Sequence, residues 1–360
     1  MSKFIASKFD ALEAYTPGEQ PQDKKYIKLN TNESPFPPSP AVIAAVNSDE
    51  VSDLRLYSDP RCWQVRKTAA EIFDVEPENV FVSNGSDESL NFLFMAMCPH
   101  GAAFADITYG FYRVFGDLYS LDCEVIPLRE DFTLNPDDYR ETDKTIFIAN
   151  PNAPTGLTIT AAQIASLAEE KPDRLVVIDE AYVDFGGESV IPLTKKYKNL
   201  VVVGTFSKSR SLAGARLGFA VADAEIIADL DKIRYSTNPY NVNRLTLVAG
   251  AAALRDTAYF DQCRTAIMET REYTKAELRK RGFFVTDSKA NFLFAKPWGI
   301  GGKDYYLKLK DRGVLVRYFG SSRIADFVRI TIGTMDDMKV LLRETDQILA
   351  EVNEHEKKDD

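Results

Sequence analysis

Two short apolar runs, Leu175-Val176-Val177-Ile178 and Leu200-Val201-Val202-Val203-Gly204, constrain the fold of this chain more than any other feature. They are rich in β-branched residues and lack polar alternation, the pattern of strands buried on both faces of a sheet. Asp179-Glu180-Ala181-Tyr182 follows the first run. Thr205-Phe206-Ser207-Lys208 follows the second, with Arg216 a little further on. Open α/β sheets bind ligands at the carboxyl ends of their strands. A lysine placed there can form a Schiff base with an aldehyde cofactor, and an aspartate on the next strand can pair with a pyridinium nitrogen. That is the chemistry of pyridoxal phosphate.

The rest of the chain agrees with such a sheet. Strand-like runs at 80–82, 124–128, 145–148 and 217–221 alternate with helical periodicity that is clearest over 161–170 and 245–255. The pattern predicts an α/β fold: a large domain over 41–270 with a mostly parallel central sheet covered by helices on both faces. Residues 1–40 form an extended arm that contributes to a small domain, with Pro17, Pro21, Pro35, Pro37, Pro38 and Pro40 excluding any long regular element. A long amphipathic stretch at 261–281 leads into that smaller α+β domain, 271–360. It has strands near 283–285, 291–294, 314–317 and 327–331 and a closing helix from Met335 to about Val352.

Composition removes several kinds of function. The net charge of −10 argues against a nucleic-acid footprint, which would need a basic face, and no stretch has the apolar length of a membrane span. No secretory signal is legible in Met1-Ser2-Lys3-Phe4-Ile5. There are two histidines, His100 in a Pro-His-Gly turn and His355 in a polar tail read as frayed, so neither a zinc site nor a Ser-His-Asp triad is expected. Proton transfer falls to lysine, tyrosine or a carboxylate. Cys62, Cys98, Cys123 and Cys263 have neither metal nor redox spacing and read as free thiols, which points to a cytoplasmic protein.

Further polar groups follow the other strands. Ser83-Asn84-Gly85-Ser86-Asp87 is a tight turn into a helix whose free N–H groups can hold a phosphate. Asn150-Pro151-Asn152-Ala153-Pro154-Thr155-Gly156 is a rigid turn that can present the Asn152 amide to a cofactor's phenolic oxygen. Asp179, at the end of a buried run, needs a partner. Arg216, with Thr205 and Ser207, can clamp a phosphate. Each piece alone has a plainer reading: a capped helix, a turn, a structural ion pair, a surface lysine. Their joint occurrence in this order is far more specific.

With these motifs the chain resembles the fold-type I pyridoxal-phosphate aminotransferases, and most closely their histidinol-phosphate branch. The resemblance extends from Leu29-Asn30-Thr31-Asn32-Glu33-Ser34-Pro35 to Val328-Arg329-Ile330-Thr331-Ile332-Gly333 and includes Pro239-Tyr240-Asn241-Val242-Asn243. It implies that Lys208 carries pyridoxal 5′-phosphate, that Asp179 partners the pyridine nitrogen and Tyr182 the phenolate, and that Ser86, Asp87, Thr205, Ser207 and Arg216 hold the phosphate. Tyr109 would stack on the ring. Tyr57 would reach the neighbouring subunit's phosphate in a homodimer. Arg329, with Arg317, Tyr15 and Asn32, would form the substrate pocket. Many relatives have asparagine where this chain has Ala153, which leaves Asn152 as the substitute.

The implied reaction is transamination between L-histidinol phosphate and 2-oxoglutarate, giving imidazole-acetol phosphate and L-glutamate in histidine biosynthesis. Lys208 would move the proton. The alternatives on the same scaffold are an aromatic or broad-specificity aminotransferase and an amino-acid-phosphate decarboxylase using the same cofactor.

Overall fold

In the computed structural model, which describes residues 4–9, 12–47 and 49–359, the two apolar runs lie side by side near the middle of a seven-stranded sheet. The spatial order is Val80–Ser83, Gly218–Val221, Leu200–Thr205, Val176–Asp179, Thr145–Ala149, Ala102–Ala105 and Cys123–Ile126. Gly218–Val221 runs antiparallel to both of its neighbours, and the other pairings are parallel.

Strand geometry explains why both faces are apolar. Val177, Val201 and Val203 pack with Phe94 and Phe147 on one face, while Val176, Ile178, Leu200 and Val202 meet Ile164 and Leu167 on the other. The register pairs Asp179 with Val203, so Asp179 and the segment from Thr205 to Lys208 emerge together at the carboxyl end of the sheet.

Ala102–Ala105 is an interior strand, next to the edge, that the sequence pattern does not signal. Its alanines have weak strand preference, and burial between two parallel neighbours holds them extended.

A second sheet of five strands runs in the order Ile27–Leu29, Val314–Tyr318, Val328–Thr331, Phe292–Lys296 and Phe284–Val285. The arm is therefore built into this sheet, through a parallel pairing of Ile27–Leu29 with residues 314–316. Leu29 is buried there with Leu293, Val316 and Ile330.

The helix Thr257–Lys280, capped by Asp256, begins earlier than the sequence pattern suggests. The closing helix runs from Met335 to Asp359, past the expected end near Val352 and through the tail read as frayed. Glu351, paired with Lys308 and Arg312, ties it to the helix Gly302–Asp311. His100 lies in a turn, and all four cysteines are free thiols. Among the described residues no helix is long and apolar enough to cross a membrane, and no cluster of His, Cys, Asp and Glu could hold a metal ion.

Candidate active site

The helix Ser86–Ala96 starts immediately beyond the strand Val80–Ser83, with Gly85 as its N-cap. No side chain caps it, and while the Glu88 N–H turns back to the Gly85 carbonyl, the Ser86 and Asp87 N–H groups remain available to a ligand. Two glycines make room for that arrangement. Gly85 has φ +78, and a Cβ there would stand 2.6 Å from Arg216 Nη2. A Cβ on Gly218 would stand 2.3 Å from the Ser86 nitrogen. Arg216 Nη2 donates to Asp87 Oδ2 at 2.9 Å, and the Tyr109 hydroxyl donates to Asp87 Oδ1 at 2.8 Å. Thr205 Oγ1 donates to Ser207 Oγ at 3.0 Å and accepts from the Ser207 N–H at 3.2 Å. Ser86, Asp87, Thr205, Ser207 and Arg216 thus form one side of a cavity of about 80 Å³, which Tyr109, Asp179, Tyr182 and Lys208 also line.

Asp179 is buried. The Ala181 N–H donates to its Oδ1 at 3.1 Å and the Tyr112 hydroxyl to its Oδ2 at 3.0 Å. Burial pushes its pKa up to about 6, partly offset by these two donors and by the positive charge of Lys208. Tyr112 is an addition to the expected site. In the sequence, its place on the inward face of the helix Phe111–Leu118 marks it only as a core residue. The Lys208 ammonium donates to the Thr31 carbonyl at 3.3 Å and lies 5.8 Å from the centre of the Tyr182 ring.

A larger cavity of about 400 Å³ shares Tyr109, Ala153, Tyr182 and Lys208 with the first. The arm and the second sheet supply Tyr15, Asn32, Arg317 and Arg329 to its wall. Asn32 fixes Tyr182: its Nδ2 donates to the tyrosine oxygen at 2.9 Å, while its Oδ1 accepts from the Thr331 hydroxyl at 2.9 Å. Tyr15 stacks on Phe111 with ring centres 4.2 Å apart. Arg317 donates to the carbonyls of Pro17 and Thr16, at 3.1 and 3.0 Å, and so holds the arm across the cavity.

Arg329 is half-buried. Its Nη2 donates to the Asn30 carbonyl at 2.9 Å, and its Nε has no partner among the described residues. Burial pulls its pKa below the usual value. A guanidinium in that state is a receptor for an anion.

Residues 24–344 match the model of the family described as aminotransferase class I and II. The chain belongs to the class I and II aminotransferases. This aminotransferase is 49% identical over 352 residues to a histidinol-phosphate aminotransferase of Brachyspira hyodysenteriae, covering 97% of this chain and 99% of the relative. It is 46% identical to one of Clostridium acetobutylicum, over 97% of this chain and all of the relative. The solved histidinol-phosphate aminotransferase of Sinorhizobium meliloti in complex with pyridoxal 5′-phosphate shares the fold, with a TM-score of 0.84 at 23% identity, covering 97% of this chain and 100% of that one.

Asn152 and Tyr57 line neither of these two cavities in this aminotransferase. The Asn152 amide is engaged within its own region: Nδ2 donates to the Ile107 carbonyl and Thr155 Oγ1, and Oδ1 accepts from the Thr108 hydroxyl. It is turned from the cofactor cavity, whose wall holds the Ala153 methyl instead. The expectation that Asn152 replaces the missing asparagine would require its amide to leave these three partners. Tyr57 is 77% exposed and stacked on Tyr240 with ring centres 4.3 Å apart, outside both cavities of its own chain.

Proposed function

We propose that this aminotransferase moves an amino group between L-histidinol phosphate and 2-oxoglutarate, giving imidazole-acetol phosphate and L-glutamate, with pyridoxal phosphate as cofactor. One observation carries the reading: an anion-binding cavity built on Arg216 and a second built on Arg329 meet at Lys208. The names of relatives at 49% and 46% identity over nearly the whole chain support the choice of substrate.

The residues present fit the cofactor. Asp179 is buried, with a raised pKa and no cation within ion-pair distance among the described residues, the state that a pyridinium nitrogen would relieve. Arg216, Ser207, Thr205 and the first-turn N–H groups at Ser86 and Asp87 would hold its phosphate. Tyr109 and Tyr182 would line its ring and phenolate side. When bound, the group supplies an aldehyde for the lysine and an electron-accepting ring.

The chain's own contributions follow from the geometry. Lys208 Nζ, reachable from both cavities, acts as general base at the amine-bearing carbon of the substrate. Asp179 stays ionised against a positive partner, oriented by Tyr112 and the Ala181 N–H. Asn32 holds the Tyr182 hydroxyl in place. Arg329 grips the anionic end of each substrate in turn, and the arm latched by Arg317 excludes water.

The active unit in this reading is a homodimer in the cytoplasm. Val51, Leu54, Leu56, Tyr57 and Tyr240 expose a run of apolar surface suited to burial against a second copy, which would bring Tyr57 to the neighbouring cofactor phosphate. The arm (1–40), large domain (41–270) and small domain (271–360) belong to the same proposal.

The test is the ratio of kcat/KM for L-histidinol phosphate to that for L-phenylalanine, with 2-oxoglutarate as acceptor. A strong preference for histidinol phosphate is expected. Preference for phenylalanine would favour an aromatic aminotransferase, and carbon dioxide release without amino transfer a decarboxylase.

A further inference from the structure

A third cavity, of about 270 Å³, lies beside the strand Leu200–Thr205 and is separate from the Lys208 site except for the shared wall residue Thr205. Phe73, Ile191, Phe219 and Leu254 give it apolar walls, and Arg210 and Asp184 bring opposite charges into it. Arg210 donates to the Ala253 carbonyl at 2.9 Å and lies over the Phe260 ring at 3.6 Å. Asp184 accepts the Ser209 hydroxyl. Among the described residues neither charge has an opposite partner within ion-pair distance, although both face the same space. Arg210 is largely withdrawn from water, and burial pulls its pKa down.

The third ionisable group, Glu180, does not neutralise Arg210. The Val190 N–H donates to its Oε1 and the Ser189 hydroxyl to its Oε2, each at 2.6 Å, so both of its oxygens are already engaged by the neighbouring loop and neither pairs with Arg210. The cavity therefore presents one unpaired cation and one unpaired anion against an apolar floor. Apolar walls with a few convergent polar groups are the usual make-up of a small-molecule site.

We propose that this cavity is a second ligand site, taking a free α-amino acid with a branched or aromatic apolar side chain. The ligand's carboxylate lies on Arg210, its ammonium on Asp184, and its side chain against Phe73 and Leu254. A zwitterion is the ligand class that satisfies both charges at once, which a simple carboxylate or a simple amine cannot do.

The test is calorimetric titration of the cofactor-loaded enzyme with L-leucine, with visible absorbance followed in parallel to separate binding at the cofactor. The wild type is expected to show one site per chain, roughly millimolar or tighter, with no absorbance change. Arg210→Gln and Ile72→Trp, which places a bulky ring at the exposed rim, are each expected to remove that site while transamination continues. If Arg210→Gln does not fold, Ile72→Trp decides the matter. Absence of the site in the wild type, or its retention in either folded variant, would overturn the proposal.

Discussion

Arg317 and Arg329 stand directly opposite one another in the antiparallel pairing of Val314–Tyr318 with Val328–Thr331. Like charges in that position destabilise a sheet unless something neutralises them. Arg317 is relieved by the carbonyls of the arm, whereas Arg329 keeps an unpartnered Nε. Arg329→Gln should therefore raise KM for L-histidinol phosphate by roughly 10- to 100-fold, the equivalent of losing a charged hydrogen bond, without lowering the melting temperature of the ligand-free protein. Arg317→Ala should release the arm and raise KM by less. Steady-state kinetics with thermal melts of both variants checks the pair.

Tyr112→Phe removes one of the two donors to Asp179. The pKa of Asp179 should then rise further above about 6, because a hydrogen bond to the charged form is lost. Cofactor affinity should fall roughly 10-fold, and the pH at which the bound cofactor's absorbance titrates should move. Tyr109→Phe, whose hydroxyl serves Asp87, should leave that pH unchanged. Equilibrium dialysis and absorbance titration distinguish the two.

In the cofactor-free protein Asp179 and Glu180 have raised pKa values, about 6 and about 8, against ordinary values of 3.8 and 4.5. A carboxyl raised by burial favours the folded state while it is protonated. This stability is present in full below about 3.8 for Asp179 and about 4.5 for Glu180, and is lost as pH rises through about 6 and then about 8. Urea unfolding between pH 5 and 8 should show falling stability, and Glu180→Gln should flatten the upper part of the decline by on the order of a few kcal/mol.

Tyr57 serves the proposed function only across a subunit boundary. Lys208→Ala and Tyr57→Ala should each be impaired alone, the first without measurable turnover. A co-refolded mixture should regain activity, because a mixed dimer holds one site with both Lys208 and a partner Tyr57. Lack of any gain on mixing would rule out the shared site.

How much of this was legible depended on how local each signal is. Asp179 and Lys208 stand out because strands buried on both faces leave unbroken apolar runs, and polar groups at their ends are conspicuous. Ala102–Ala105 carries no such signal, since alanine is as common in helices. Tyr112 was hidden because its partner lies 67 residues away in sequence. The surroundings of Asn152 were hidden for a related reason: Thr108, across the fold, and Thr155, within the turn, both bond its amide. Arg317 was recognisable as a site residue, but its engagement with the arm depends on the parallel pairing of Ile27–Leu29 with residues 314–316.

The most direct measurement is the visible absorption spectrum of the purified protein loaded with pyridoxal phosphate, before and after L-histidinol phosphate is added without any keto acid. The account predicts that the band of the lysine-bound cofactor is replaced by that of its amine form, that 2-oxoglutarate reverses the change, and that Lys208→Ala never shows the starting band. A lysine-bound band that ignores histidinol phosphate yet responds to L-phenylalanine would contradict the substrate assignment, and a starting band that persists in Lys208→Ala would contradict the site itself.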